Sequence, residues 1–264
     1  MNEQMRIGAV SYLNTKPLVY GLAEQIGSGN LSFDLPSRLA DQLRSDQLDV
    51  ALIPSVEYFR NASQYQIVSD ACIACRGPVW SVRLLSRVPI PEIRTLALDE
   101  GSRTSAALAQ ILIYEQFGIE PDLVSLPIDS SPDTADSDAI LLIGDRAMHP
   151  SAGVYHEIWD LGDRWCRWSE LPFVFAMWVA RRGRKLDELA CILESCRNGG
   201  LEHLEEIAER EAGSHGLTVS DCAAYFSRYL HFTLGKREHM GLDLFQTKAI
   251  ERGLIAQPKT NSTI

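Results

Sequence analysis

Small hydroxyl and amide side chains gather where strand-like runs of this chain give way to helix-like runs. Together they have the chemistry to hold an anion. The clearest case is the loop Gly101-Ser102-Arg103-Thr104-Ser105. A strand enters it and a helix leaves it, so free backbone N–H groups and the positive end of a helix dipole point outward there. The hydroxyls of Ser102, Thr104 and Ser105 and the guanidinium of Arg103 bring more donors than a helix cap needs. The loop therefore reads as a carboxylate site. Ser11 and Asn14 close the first strand, and an Asn amide both donates and accepts, so it can orient a hydroxyl or a carboxylate. Capping accounts for Asn14 as well as ligand contact does, and Ser55, after a second strand, carries the same two readings. Ser81 follows a Gly-Pro turn and either faces a cleft or pairs with backbone. Asp145, after Gly144, fits an acid/base group, a surface charge or, best, a helix cap.

Other chemistries lack support. No Ser/His/Asp or Cys/His arrangement stands out, and no P-loop or G-x-G-x-x-G motif is present, so no nucleotide cofactor is expected. The six histidines show no H-x-x-x-H or H-E-x-x-H pattern, so no metal is expected. Cys72 and Cys75 form a lone C-x-x-C inside a strand-like run. They read as buried reduced thiols, like Cys166, Cys191, Cys196 and Cys222.

The elements that must position these residues alternate between strand and helix, which predicts an α/β fold with mostly parallel sheets. Strand-like runs are Arg6–Ser11, Leu31–Leu35, Asp49–Pro54, Ile67–Cys75, Trp80–Ser86, Arg94–Asp99, Ala139–Gly144 and Pro172–Ala180. Leu18, Leu22 and Ile26 fall on one helical face, as do Leu39 and Leu43. Ala106–Phe117 is a strong helix with Gly118 as its stop, and residues 128–138 are turn-rich. The region from Leu186 to Leu254 reads as helical, with Tyr225, Phe226, Tyr229 and Phe232 forming an aromatic packing face. The two prolines of Val88-Pro89-Ile90-Pro91 make a stiff connector and mark a crossing into a second lobe. The strand from Pro172 marks the return. The expected organisation is thus one lobe from residues 1–90 and 180–264, an inserted lobe from 91–179, and a ligand cleft between them. This is the periplasmic-binding-protein plan with two hinge crossings, whose lobes close over ligands.

With 45% hydrophobic and 23% charged residues, 264 residues suffice for two such lobes with packed cores. Only the polar tail Gln257–Ile264 reads as disordered. The formal charge of −10, with Lys and Arg scattered, argues against a nucleic-acid partner. No signal peptide is evident, and no apolar run approaches the roughly 18 residues of a membrane span. A cytoplasmic monomer or weak homodimer, with no membrane partner, is expected.

Several blocks, in order along the chain, carry a resemblance. Ser11-Tyr-Leu-Asn-Thr-Lys-Pro-Leu18, Asp49-Val-Ala-Leu-Ile-Pro-Ser-Val-Glu-Tyr58, Arg76-Gly-Pro-Val79 with Ser81-Val82, Ser102-Arg-Thr-Ser105, Leu142-Ile-Gly-Asp145, Leu171-Pro-Phe-Val-Phe175, and Leu234-Gly with Gly241-Leu-Asp-Leu-Phe245 together resemble the chorismate dehydratases of the futalosine route to menaquinone. The resemblance implies a cofactor-independent carbon–oxygen lyase. It would convert chorismate to 3-enolpyruvyl benzoate by loss of the C4 hydroxyl and the C3 hydrogen. It also implies Asn14 and Ser81 as catalytic residues. Ser11, Ser55, Ser102, Arg103, Thr104, Ser105 and Asp145 would be the substrate contacts, the hydroxyls serving its two carboxylates. With no placed His or Glu, the substrate's enolpyruvyl carboxylate is the candidate base. One departure is visible: Cys75 stands where a serine is expected, which questions a hydroxyl contact there. Two other readings remain. The sister family, the 1,4-dihydroxy-6-naphthoate synthases, shares the fold but has a Pro-Asn-Asp run where this chain has Leu13-Asn14-Thr15. A non-catalytic cytoplasmic binder of a small carboxylate would hold its ligand unchanged.

Overall fold

The computed structural model describes residues 5–149 and 153–257. The polar tail expected to be disordered lies, apart from Gln257, outside them. The strands among the described residues are β1 (Ile7–Val10), β2 (Leu31–Asp34), β3 (Val50–Pro54), β4 (Tyr65–Cys75), β5 (Val82–Ser86), β6 (Thr95–Asp99), β7 (Asp122–Leu126), β8 (Ala139–Ile143), β9 (Glu157–Asp160), β10 (Phe173–Arg181) and β11 (His231–Thr233). They form two sheets, one in the order β11-β4-β10-β3-β1-β2 and one in the order β7-β6-β8-β5-β9.

Burial explains the strand pattern. β3 and β8 are apolar throughout and buried at every position, as strands covered on both faces require. β10 is buried along nearly its whole length because it lies in the middle of the first sheet, between β4 and β3. The edge strands β2 and β7 alternate less cleanly and leave Phe33, Leu123 and Val124 exposed.

The sheets are mixed, not mostly parallel. β1 pairs in parallel with β2 and β3, and β6 with β7 and β8. However, β10 runs antiparallel to β3 and β4, β11 to β4, and β5 to β8 and β9. The reason is the hinge. A strand that has just crossed from the other lobe enters its sheet from the cleft edge and must run opposite to strands that end there.

The first crossing falls earlier than the proline connector suggests. β5 belongs to the second sheet and β10 to the first, so the chain crosses at residues 76–81 and returns at 170–172. Pro89 instead leads into a short 3-10 turn, Ile90–Glu92, inside the second lobe. A proline pair stiffens whichever segment holds it, and here that segment is the link between β5 and β6.

Helices cover both sheets. Arg103–Phe117 buries Ala107, Leu108, Ile111 and Leu112 and ends at Gly118 in the left-handed conformation. The helices Asp187–Glu202 and Lys236–Glu251 pack from the C-terminal segment. Their buried residues join one apolar cluster with the first sheet and part of the second, so the two lobes share a core at the hinge.

Candidate active site

A cavity lies between the lobes, at the ends of β1, β3 and β8. Its walls are Tyr12, Asn14, Ser81, Ser102, Ser105, Gly144 and the apolar side chains of Val10, Ile73, Val82, Ile143 and Phe175, among others. Its free volume is about 470 Å³, part of it open to solvent, and the lobes leave only a narrow gap inside. No Asp, Glu, His, Lys or Arg side chain lines it among the described residues.

The first wall comes from the segment after β1. It is a 3-10 helix, Leu13–Val19, in which Asn14 is the second residue and not the cap. The tight 3-10 winding accommodates Pro17 and turns Asn14 toward the cavity. Thr15 donates a hydrogen bond to the Asn14 Oδ1 at 3.3 Å. Tyr12, just before this helix, spans the cleft. Its ring lies so close to Gly144 that a Cβ there would sit 2.9 Å from it, and a Cβ on Gly101 would sit 2.7 Å from its hydroxyl. Gly144 has φ +59° and ψ −144°, a conformation only glycine adopts without strain. The Tyr12 hydroxyl is buried and has no hydrogen-bond partner among the described residues. Burial, with Asp99 and Asp145 nearby, pushes its pKa up, so it stays protonated as a donor.

The second wall is the helix start in the other lobe. Ser102 is the N-cap, its Oγ accepting from the Ser105 N–H at 3.2 Å and donating to the Ser105 Oγ at 2.8 Å. Both hydroxyls line the cavity. Arg103 and Thr104, one residue further round the helix, face the first lobe instead. The Arg103 guanidinium grips both oxygens of Asp41, at 3.0 and 2.7 Å, and reaches Glu57 at 3.5 Å. The Thr104 Oγ1 accepts from the Val56 N–H at 3.2 Å. These two residues, expected to contact substrate, hold the lobes together because a helix turns about 100° per residue and only alternate faces meet the cavity.

Three further expectations shift. Ser11 is exposed, with its backbone N–H on the Asp34 carbonyl, and does not line the cavity. Ser55 is fully buried as the first residue of its helix. Its hydroxyl donates to the Val174 carbonyl at 2.9 Å, tying β3 to β10. Asp145 does not cap its own helix, whose N-cap is Gly144, and it stays outside the cavity. Its carboxylate accepts from the Leu13 N–H at 3.4 Å and pairs with His215 Nδ1 at 3.0 Å, a second bridge across the cleft. Such bridges need no local sequence signature, because the partners lie far apart in the chain.

The hinge supplies the third wall. Both carboxylate oxygens of Asp160 accept backbone N–H bonds from Val79 and Trp80, at 2.7 to 3.0 Å. Burial nonetheless holds the Asp160 carboxyl above the usual carboxylate range, with these bonds pulling the other way. Trp80 has φ +64°, rare for a large side chain, and this kink delivers Ser81 to the cavity. The Ser81 hydroxyl accepts from Tyr225 at 2.8 Å. Tyr225 was read from sequence as packing alone. An aromatic stripe gives no sign of where its hydroxyl ends up. Cys75 is buried and lines nothing in the cavity: its Sγ lies against Gly162. The serine expected there would not have met the ligand directly in this arrangement. Among the described residues no three His, Cys, Asp or Glu side chains are grouped to hold a metal ion.

Two lobes joined by two crossings, with a cavity between them that is apolar apart from a few hydroxyl and amide groups, define the class of two-lobed binding-protein folds. Solved structures agree in fold. The chain overlays a protein of Archaeoglobus fulgidus with a TM-score of 0.77, covering 97% of this chain and 100% of that one at 16% identity. It overlays the periplasmic aliphatic sulphonate binding protein of Escherichia coli with a TM-score of 0.65, covering 96% and 88% at 13% identity. Within that fold class, the chain belongs to the menaquinone biosynthesis family, whose profile matches residues 5–251. It is 28% identical over 263 aligned residues to a chorismate dehydratase of Thermus thermophilus, covering 90% of this chain and 93% of that protein.

Proposed function

We propose that this protein is a chorismate dehydratase that forms 3-enolpyruvyl benzoate without a cofactor. The observation that carries the reading is the character of the cavity. Its polar atoms are neutral donors, its remaining walls are apolar, and no ionised side chain faces it among the described residues. A ring flanked by two carboxylates suits such a site. Val10, Ile73, Val82, Ile143 and Phe175 would grip the ring. Ser102 and Ser105, at the start of the Arg103–Phe117 helix, would hold one carboxylate with help from the helix dipole. The orphaned Tyr12 hydroxyl offers one more donor.

The reaction breaks the C3–H and C4–O bonds of the ring and releases water. The electron pair of the C3–H bond becomes the ring's new double bond as hydroxide leaves C4. Asn14 and Ser81, which line the cavity, would donate to the departing oxygen, and such preorganised donors act most strongly where water is excluded. Among the described residues the site contributes no carboxylate or imidazole as proton acceptor. That favours the substrate's own enolpyruvyl carboxylate as base, delivering the proton toward the leaving hydroxyl.

The test is incubation of the purified protein with chorismate alone, followed by chromatography and ultraviolet absorbance. The expected outcome is 3-enolpyruvyl benzoate, its formation strongly reduced in a folded Asn14→Ala variant. Chorismate recovered unchanged by a protein that binds it would overturn the enzyme reading.

A further inference from the structure

Tyr225 lies 144 residues from Ser81 in the chain and is fully buried, yet its hydroxyl bonds to one of the two polar groups assigned to the departing oxygen. The other group, the Asn14 amide, lines the same cavity. We propose that Tyr225 is the positioning residue of the site, a phenol that sets the direction of the Ser81 hydroxyl. The inference rests on the dehydratase reading and deepens it.

The direction of the hydrogen bonds follows from the donor inventory. A buried phenol has one proton to give, and here it goes to Ser81 Oγ. Ser81, having accepted that bond, must donate its own. Among the described residues its acceptor is the Val79 carbonyl at 3.4 Å, a long bond that is easily given up for a ligand oxygen. The phenol–serine pair therefore polarises toward the cavity, the first bond strengthening the Ser81 hydroxyl as a donor.

The surroundings of Tyr225 hold it in that pose. It opens a π-helical turn, Tyr225–Tyr229, a local departure from α geometry that recurs at functional sites. The Trp80 ring meets it edge-on at 5.7 Å, and Trp80 sits in the strained backbone next to Ser81. Packing alone would be served by phenylalanine. A hydroxyl at this depth is costly unless bonded, and its partner, Ser81, lines the cavity. Tyr225 itself does not line it, so it acts through Ser81 and touches no substrate.

The experiment compares steady-state kinetics with chorismate for the wild type, Tyr225→Phe, Ser81→Ala and the double variant. Loss of one orienting hydrogen bond lowers kcat about ten-fold in Tyr225→Phe, with KM within about two-fold of wild type. The double variant turns over no more slowly than Ser81→Ala alone, so the two effects are less than additive. Because burial keeps the phenol protonated, the pH profile of Tyr225→Phe keeps the wild-type shape. Replacement of Tyr225 by 3-fluorotyrosine retains the hydroxyl as a stronger donor and gives a kcat at or above that of wild type. This arm decides the matter even where Tyr225→Phe does not fold. An unchanged kcat in Tyr225→Phe, full additivity with Ser81→Ala, or a fluorotyrosine protein as slow as Tyr225→Phe overturns the inference. A wild type that does not turn over chorismate is a different failure. It removes the dehydratase reading itself, and the role of Tyr225 with it.

Discussion

The cavity is built from two strand-to-helix junctions that solve the same problem differently. The junction at 99–105 is locally complete. Asp99 accepts from the Gly101 N–H, Ser102 caps the helix, and Ser102 and Ser105 bond to each other. The junction at 10–15 is not. Tyr12 lays its ring against Gly144 of the other lobe and keeps, among the described residues, an unpartnered hydroxyl, and Asn14 bonds only its neighbour Thr15, at 3.3 Å. A junction that satisfies itself holds its shape with or without a ligand, and suits the task of seating a carboxylate. A junction that depends on the other lobe is assembled only when the lobes meet, and suits groups that must act on a bound substrate shielded from water. The second lobe thus supplies a standing seat, and the first supplies the working groups.

Substitutions can separate these two roles. The largest effect is expected from Asn14→Ala, which removes a donor aimed at the leaving group. Its kcat should fall by about 10²–10³-fold with the fold intact, checked by single-turnover rates and circular dichroism. A fall shared equally between kcat and 1/KM would instead make Asn14 a seat. Gly144→Ala comes next, because the added Cβ strains the backbone at φ +59° and strikes the Tyr12 ring. A loss of about 1–3 kcal/mol in thermal unfolding, with lowered activity, is expected. Ser102→Ala removes the cap and should cost about 1 kcal/mol of stability and raise KM more than it lowers kcat. Arg103→Ala breaks a clasp that is partly exposed to solvent, so the apparent KM should rise by no more than about five-fold with kcat nearly kept. The smallest effect concerns pH. The Arg103 guanidinium holds the Asp41 carboxyl below its ordinary value of 3.8. A depressed carboxyl contributes fully above that value and loses its contribution as pH falls through the lower folded value. Small-angle scattering should therefore show the lobes loosening only in strong acid, and the Arg103→Ala protein should already lack that transition.

Charge at the cleft teaches the same lesson from the other side. Arg103 and Asp145 are the ionisable residues whose types best fit an anion site or an acid/base role. Both turn away from the cavity, to Asp41 and to His215. An ionised group in a narrow, dry site would pay a desolvation penalty without a fixed partner, whereas across the lobe contact each finds an opposite charge. What remains in the cavity is neutral.

Much of this was legible in the amino-acid sequence. The strand-like runs are where the main strands lie, because apolar residues in unbroken runs of four to six can be satisfied only in a covered sheet. Ser102 as a cap and Gly118 as a stop follow from local hydrogen bonding and from backbone freedom. The ordered blocks pointed to the family, and Asn14, Ser81, Ser102 and Ser105 do converge on one cavity. The lobe boundaries, the antiparallel strands after each crossing, the inward turn of Tyr12 and the outward turn of Arg103, Thr104 and Asp145 were decided by tertiary structure alone. So was the meeting of Tyr225 with Ser81. Local propensity acts over a few residues, while these outcomes depend on which groups the closed lobes bring within about 3 Å of each other, and that pairing has no short-range signal.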